Sequence, residues 1–419
     1  MGITVTAEGV TQSKQAYSVN NRTMSLNISI ADRVKNKTRS WKTNKLVVNV
    51  VMMNMLACLS KGVRLHYTRD KNTRAKSMYN TRAINGYDVI KAVDYLQDIG
   101  YLINHIAPRQ YGIQEDKMSS WIEPTPFFMS EFMTDTELLM KANNAFNAAW
   151  MPIIMRNEKK EPVDYRADEN TFSIEAVLTR LNETNEKFVF TDHQGLEFQN
   201  WYCRIFNNSN FLEGGRFYKA SVLNIRNKAD ERLHIKIDGE AVVEVDYTAL
   251  HIFMAAEKLG CAHEYGDDPY KRVQGIDRQI VKLAVNTMFN CTSRAQAVKS
   301  LQSNMNKSGY KAHSGSEVVT AIFTAFPQLK DEFCYKQCSG LRLQNQDSWM
   351  THYVANVMST LGKPFLPVHD SGIVRQQDEG LLIELMCDAY KSVLGVDSIV
   401  HMKRNKIVDG KPKEDDVSC

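Results

Sequence analysis

Apolar residues recur along this chain with two periods, and the switches between them predict its elements. From Lys45 to Leu59 valine, methionine and leucine run almost unbroken, which predicts a helix buried on most of its circumference. Tyr87, Ile90, Val93 and Leu96 follow a helical period, and Gly100 to Ile103 reads as a short strand. Helix, helix, strand is the order of half a winged-helix unit, or of a small helical domain with a basic face. Residues 108 to 170 hold Trp, Phe and Met without a readable period.

The second half is more regular. Leu233 to Ile237 and Glu240 to Asp246 are strand-like runs joined by Asp238-Gly239, a strong two-residue hairpin signal. Thr248 is placed to cap a helix carrying Leu250, Phe253, Met254 and Leu259. Asp277 is placed to cap another, with an apolar stripe of Ile280, Val281, Ala284, Val285 and Met288. A helix from Trp349 to Leu361 stops at Gly362. Pro364 to Val368 then leads through His369-Asp370 into a second hairpin, and a last helix covers about 378 to 394.

Composition narrows the classes. The chain has 419 residues, 43% of them hydrophobic and 24% charged, so it can bury large cores and is neither fibrous nor wholly disordered. The apolar stretch Leu46–Leu59 spans 14 residues, against the ~20 a bilayer requires, so no membrane role is expected. The start, Met-Gly-Ile-Thr, lacks the pattern of a secretory signal. Eight cysteines show no zinc spacing and are expected to be reduced. The net charge is only +4, yet between Arg33 and Arg82 thirteen Lys and Arg face one acid, Asp70. That stretch suits a nucleic-acid backbone, with Arg69, Lys71 and Arg74 as candidate phosphate contacts.

The candidate chemistry lies in four motifs. Asp246 ends one strand and Asp370 sits in a turn between two others; if those strands adjoin, the pair can hold divalent cations, although each alone serves equally well as a cap or a turn residue. Arg278, Lys282 and Asn286 recur every four residues on one helix face, a ladder fit for a triphosphate or simply for solvent. Gly214-Gly215-Arg216-Phe217-Tyr218 joins flexible backbone to a cation and aromatics, with Gly215, Arg216 and Tyr218 as candidate nucleic-acid contacts.

Taken in order, Gly-Gly-Arg-Phe-Tyr (214 to 218), Val-Asp-Tyr-Thr (245 to 248), Arg278-x-x-x-Lys282 and Val-His-Asp-Ser (368 to 371) resemble the core of the single-subunit phage and mitochondrial RNA polymerases across about 205 to 395. The resemblance implies an α+β right-hand fold with an antiparallel palm sheet and helical fingers, beside a mostly helical basic N-terminal region. It implies two Mg²⁺ on Asp246 and Asp370, Lys282 and Arg278 on the incoming NTP, and Tyr247, Phe289 and Asn290 around its base and sugar. Asn290 and Cys291 stand where the family has Tyr-Gly, which leaves RNA against DNA as product open; Phe289 is the nearest ring. The expected division is a flexible arm (1–40), a basic nucleic-acid-binding region (41–165), palm (166–259), fingers (260–340) and palm again (341–419). Only about 200 residues precede the match, as in the larger chain of the two-subunit RNA polymerases of short-tailed phages. The expected partners are therefore a DNA template, the RNA product, a second polymerase subunit and a single-stranded DNA-binding protein, in the cytoplasm of an infected host. A related DNA polymerase or primase, and a non-catalytic DNA-binding protein on the same scaffold, are the alternatives.

Overall fold

The computed structural model describes residues 16–18, 45–60, 64–67, 69, 84, 86–106, 120–140, 142 and 151–419 apart from 199, 226, 227 and 335–338. The chain divides into two compact units, Met1–Met151 and Pro152–Cys419. In the first, the strands β1 (Ala16–Ser18), β2 (Arg64–Tyr67), β3 (Leu102–His105) and β4 (Ser120–Pro124) form a sheet in the order β1-β2-β4-β3, with β1 parallel to β2. Helices α1 (Lys45–Ser60), α2 (Gly86–Asp98) and α3 (Pro126–Phe132) also belong to it, and residues 136–140 are helical. The 16–18 segment, expected within a flexible arm, is thus a strand. The region expected to be mostly helical also holds a four-stranded sheet.

Helix α1 is buried from Val47 to Leu59, as its unbroken apolar run requires. Asn54 is accommodated by donating to the Val50 carbonyl at 2.8 Å. No described helix is long and apolar enough to cross a membrane.

The second unit is α+β. Its first pieces are β5 (Ile153–Met155), α4 (Glu169–Asn185), β6 (Phe190–Thr191), β7 (Glu197–Phe198), β8 (Cys203–Phe206) and β9 (Gly214–Tyr218). They are followed by β10 (Lys236–Ile237), β11 (Glu240–Tyr247), α5 (Leu250–Lys258), α6 (Arg278–Phe289), α7 (Arg294–Ser308), α8 (Gly315–Ala325) and α9 (Ser339–Thr360). Last come β12 (Leu366–Val368), β13 (Ser371–Arg375), α10 (Glu379–Leu394), β14 (His401–Val408) and β15 (Lys411–Ser418).

The main sheet runs β12-β13-β11-β10-β6-β7, with β14 and then β15 added along β11. Strand β11 is its axis: β13 lies antiparallel on one edge, while β10 and β14 share the other. Val242, Val243 and Val245 are fully buried, and α10 packs its buried Leu382, Leu385 and Met386 into the same core.

Local chemistry explains the turns. Asp238 and Gly239 both have positive φ, the geometry that a two-residue hairpin favours. Asp277 caps α6 by accepting from the Gln279 and Ile280 amides at 2.8 and 3.3 Å. Thr248, in contrast, does not cap α5. Ala249 occupies that position in a left-handed conformation, without a side-chain bond.

Candidate active site

Strand pairing brings the two aspartates together. Asp246 is opposite Ser371 in the β11–β13 ladder, and the Tyr247 amide donates to the Asp370 carbonyl at 3.4 Å. The turn carrying Asp370 is held from behind. Thr351 of α9 donates to the His369 carbonyl at 3.1 Å, and Asn185 of α4 bonds both the carbonyl and the amide of Phe365 at the entry to β12. His369 itself has φ 60°, a conformation a non-glycine residue adopts at a cost.

Both aspartates are half-buried. Burial, then the neighbouring Asp370 and Glu244, push the Asp246 carboxyl well above the usual carboxylate range, with Lys282 and Arg232 opposing. Its Oδ1 is buried and has no hydrogen-bond partner. An orphaned carboxylate oxygen crowded by a second acid fits a divalent cation, whose charge would relieve both penalties. Glu244 is not free for such a role: Arg232 donates to it at 2.7 Å, and so does the Ser371 hydroxyl. Among the described residues no group of three or more His, Cys, Asp or Glu is arranged to hold a metal. The donor set is a pair of acids, which suits a hard cation that keeps waters and takes phosphate oxygens.

The cationic ladder lies on α6 and is engaged unevenly. Arg278 donates from Nε to Asp268 at 2.7 Å, with its guanidinium 5.3 Å from the Tyr270 ring centre. Lys282 is exposed and makes no ion pair with a described residue, while its charge reaches Asp246. Tyr270, which the sequence did not single out, is buried in a short turn at Pro269–Arg272. Burial and then the Asp370 charge push its hydroxyl far up, which keeps it a neutral donor.

Of the three residues expected around the nucleotide, Phe289 and Tyr247 are buried, and Asn290 is exposed at the end of α6. Phe289 is fully buried between Phe333 and His251, with ring centroids at 4.8 and 6.3 Å, because it continues the apolar stripe of α6. Tyr247 alternates with Asp246 to the opposite face, where its hydroxyl donates to the Met386 carbonyl at 2.5 Å. Asn290 is exposed, but its amide is tied to the Asn286 carbonyl at 2.8 Å. Its carboxamide also fills the space above Gly340, where an added Cβ would lie 2.3 Å from Oδ1.

The Gly-Gly-Arg segment is internal scaffold. Gly215 has φ 87°, and a Cβ there would meet the Phe206 ring at 2.6 Å. Arg204 and α9 close in on it, with Arg204 donating to the Gly215 carbonyl and to the Ser348 hydroxyl at 2.6 Å each. Arg216 donates through Nε to both oxygens of Asp347 at 3.0 Å, and His251 meets the same carboxylate at 2.9 Å. Asp347 is 1% exposed, so Arg216 is committed to a buried network and is not a free nucleic-acid contact. Tyr218 is half-buried and packs edge-on to His369, centroids 6.0 Å apart. Asp347, His251 and Arg204 carry no local sequence signal, since their partners are remote along the chain.

Arg69 is likewise engaged, donating to the Tyr67 hydroxyl at 2.7 Å and to Asp94 at 3.1 Å. Lys71 and Arg74 lie outside the described residues. Cys387 and Cys419 form a disulfide, Cα atoms 6.4 Å apart, where reduced thiols were expected; the fold of the last hairpin brings them together across 32 residues.

Comparison with known proteins adds little. No family model matches the chain, and no curated protein matches it. A similar solved structure is the POL domain of Pol1 from M. smegmatis in complex with DNA primer-template and dNTP. It is 12% identical with a TM-score of 0.32, over 66% of this chain and 54% of that one. The chain therefore spans about half the length of that domain, and a likeness of this degree carries no functional weight. Function has to be read from the site.

Proposed function

We propose that this chain is a template-directed nucleotidyltransferase, the subunit of a phage-type DNA-directed RNA polymerase. The observation that carries the reading is the pair Asp246 and Asp370 at the same end of adjacent strands, one with an orphaned buried oxygen, within reach of the charge of Lys282, which pairs with no described acid.

Asp246 and Asp370 would hold the two Mg²⁺ ions, which when bound activate the attacking hydroxyl and stabilise the leaving oxygen of an in-line displacement. The 3′-oxygen of the growing strand forms the new bond to the α-phosphorus, and the bond to the β-phosphate oxygen breaks, releasing pyrophosphate. Lys282, without an ion pair among the described residues, meets the triphosphate and can supply a proton to the departing pyrophosphate. Arg278 exchanges Asp268 for phosphate and stays oriented by Tyr270. The Arg216–Asp347–His251 network fixes β9 and α9 behind the Asp370 turn. The basic stretch from Arg33 to Arg82 contacts DNA backbone. A second polymerase subunit and a single-stranded DNA-binding protein deliver the template in the host cytoplasm.

The test is extension of a primed single-stranded DNA template by the purified chain, offered labelled NTPs and dNTPs separately with Mg²⁺. Incorporation of NTPs is expected. Incorporation of dNTPs alone would make it a DNA polymerase, and DNA binding without any incorporation would make it a non-catalytic DNA-binding protein.

A further inference from the structure

The last hairpin brings a cation to the candidate site that the reaction above has not used. In the β11–β14 ladder Asp246 lies directly opposite Lys403. Opposed residues of an antiparallel pair share a face, with Cβ atoms about 4.5–5.5 Å apart. The two faces are chemically distinct. Tyr247 bonds the Met386 carbonyl of α10, and Arg404 and Lys406 pair with Glu379 at the start of that helix at 2.7 and 3.2 Å. Asp246 and Lys403, one position along each strand, therefore share the face turned away from α10.

Lys403 is held there by Glu414 of β15, an ion pair whose side chains are 29% and 54% exposed. Pairs this exposed contribute little to stability, so an arriving polyanion can displace the acid. The exchangeable acid is thus held by a cation that lies opposite the carboxylate assigned to the metal.

We propose that Lys403 is a phosphate-binding residue of this site, passing from Glu414 to the triphosphate of the incoming nucleotide, with Glu414 acting as the competing anion. The inference deepens the polymerase reading and rests on it for the identity of the ligand. It gives the C-terminal hairpin a role in substrate affinity.

The experiment measures binding of inorganic pyrophosphate and of ATP, each with Mg²⁺, to the full chain by titration calorimetry, with primer-template affinity measured in parallel. Loss of one charge-assisted phosphate contact predicts that Lys403→Ala weakens both ligands about tenfold, that Lys403→Arg stays within about threefold, and that Glu414→Gln tightens both about threefold. Primer-template affinity should not change. Far-UV circular dichroism checks the fold, and Lys403→Arg and Glu414→Gln keep the test informative should the alanine variant unfold. Unchanged pyrophosphate binding in Lys403→Ala, a loss confined to primer-template, or weaker binding in Glu414→Gln would each overturn the proposal. Primer extension by the unaltered chain separates the two levels. If it incorporates nucleotides while Lys403→Ala binds pyrophosphate normally, the Lys403 assignment alone falls; if it incorporates none while Lys403→Ala loses pyrophosphate, the polymerase reading falls and the phosphate site stands.

Discussion

His352 is buried against Trp349, and burial together with the positive charges of Arg204 and Arg180 pulls its imidazole down to about 3. The folded chain therefore binds fewer protons at this residue than the unfolded chain does between pH 3 and the ordinary histidine value near 6.5. Its contribution to stability is complete above 6.5 and is lost progressively as pH falls through that window. At pH 5 the loss relative to pH 7 should be about 2 kcal/mol, and His352→Gln should remove that part of the acid slope, measured as urea midpoints at the two pH values. Equal slopes in both proteins would show that the imidazole titrates freely. The same residue scale shows what the sequence could and could not say about the site. The places of Asp246 on a strand, Asp370 in a turn and Lys282 on a helix were legible because each lies in a short motif whose local structure fixes its position. Arg216 was misread as a nucleic-acid contact because its partner, Asp347, is 131 residues away, and a sequence displays a charge without its counter-charge. Phe289 was misread because an aromatic ring on an apolar stripe looks the same whether it faces a ligand or a core.

Hairpins were the elements most faithfully written in the chain. Both expected hairpins form with two-residue turns, since Ile237 pairs with Glu240 and Val368 with Ser371. Asp277 starts α6 as its side chain dictates. The β14–β15 hairpin was overlooked although Asp409-Gly410 repeats the earlier Asp-Gly signal, with both residues again at positive φ. Its strands carry Lys, Arg, Glu and Asp where a half-buried strand would alternate with valine or isoleucine, and its order comes from cross-strand ion pairs such as Arg404 with Asp415 at 2.7 Å. Helix α9 begins at Ser339, ten residues ahead of the expected start, because its inner face there is polar. Asn345 and Ser348 are buried on bonds to the β9 region that no hydrophobic period reveals. The close packing of that face on Gly215 sets an expectation. Gly215→Ala forces a Cβ into Phe206 at a positive φ, and strain and overpacking together should cost about 2–4 kcal/mol. Thermal unfolding of the full chain checks this, and an unchanged midpoint would mean that β9 and α9 are not packed as described.

Across the whole molecule, the boundary expected between residues 165 and 166 stands against a division into compact units between Met151 and Pro152. The reason is that Ile153–Met155 is a strand parallel to β8, and the polar residues after it form a tight turn in which Asn157 accepts from the Lys159 and Glu161 amides at 3.0 and 2.9 Å. The charge-dense segment after Met155 is a folded edge of the second unit. That unit contains every residue of the candidate reaction, and its sheet alone sets Asp246 beside Asp370. The most direct test of this account is the single-turnover rate of nucleotide addition on a primed template, at saturating Mg²⁺, for the unaltered chain and for Asp246→Asn and Asp370→Asn, with template binding measured in parallel. Loss of a metal-binding charge should remove several kcal/mol of transition-state stabilisation, so each variant is predicted to fall by about 10³-fold or more while still binding template. Either variant retaining more than about a tenth of the original rate would contradict the assignment of that aspartate to the metal site.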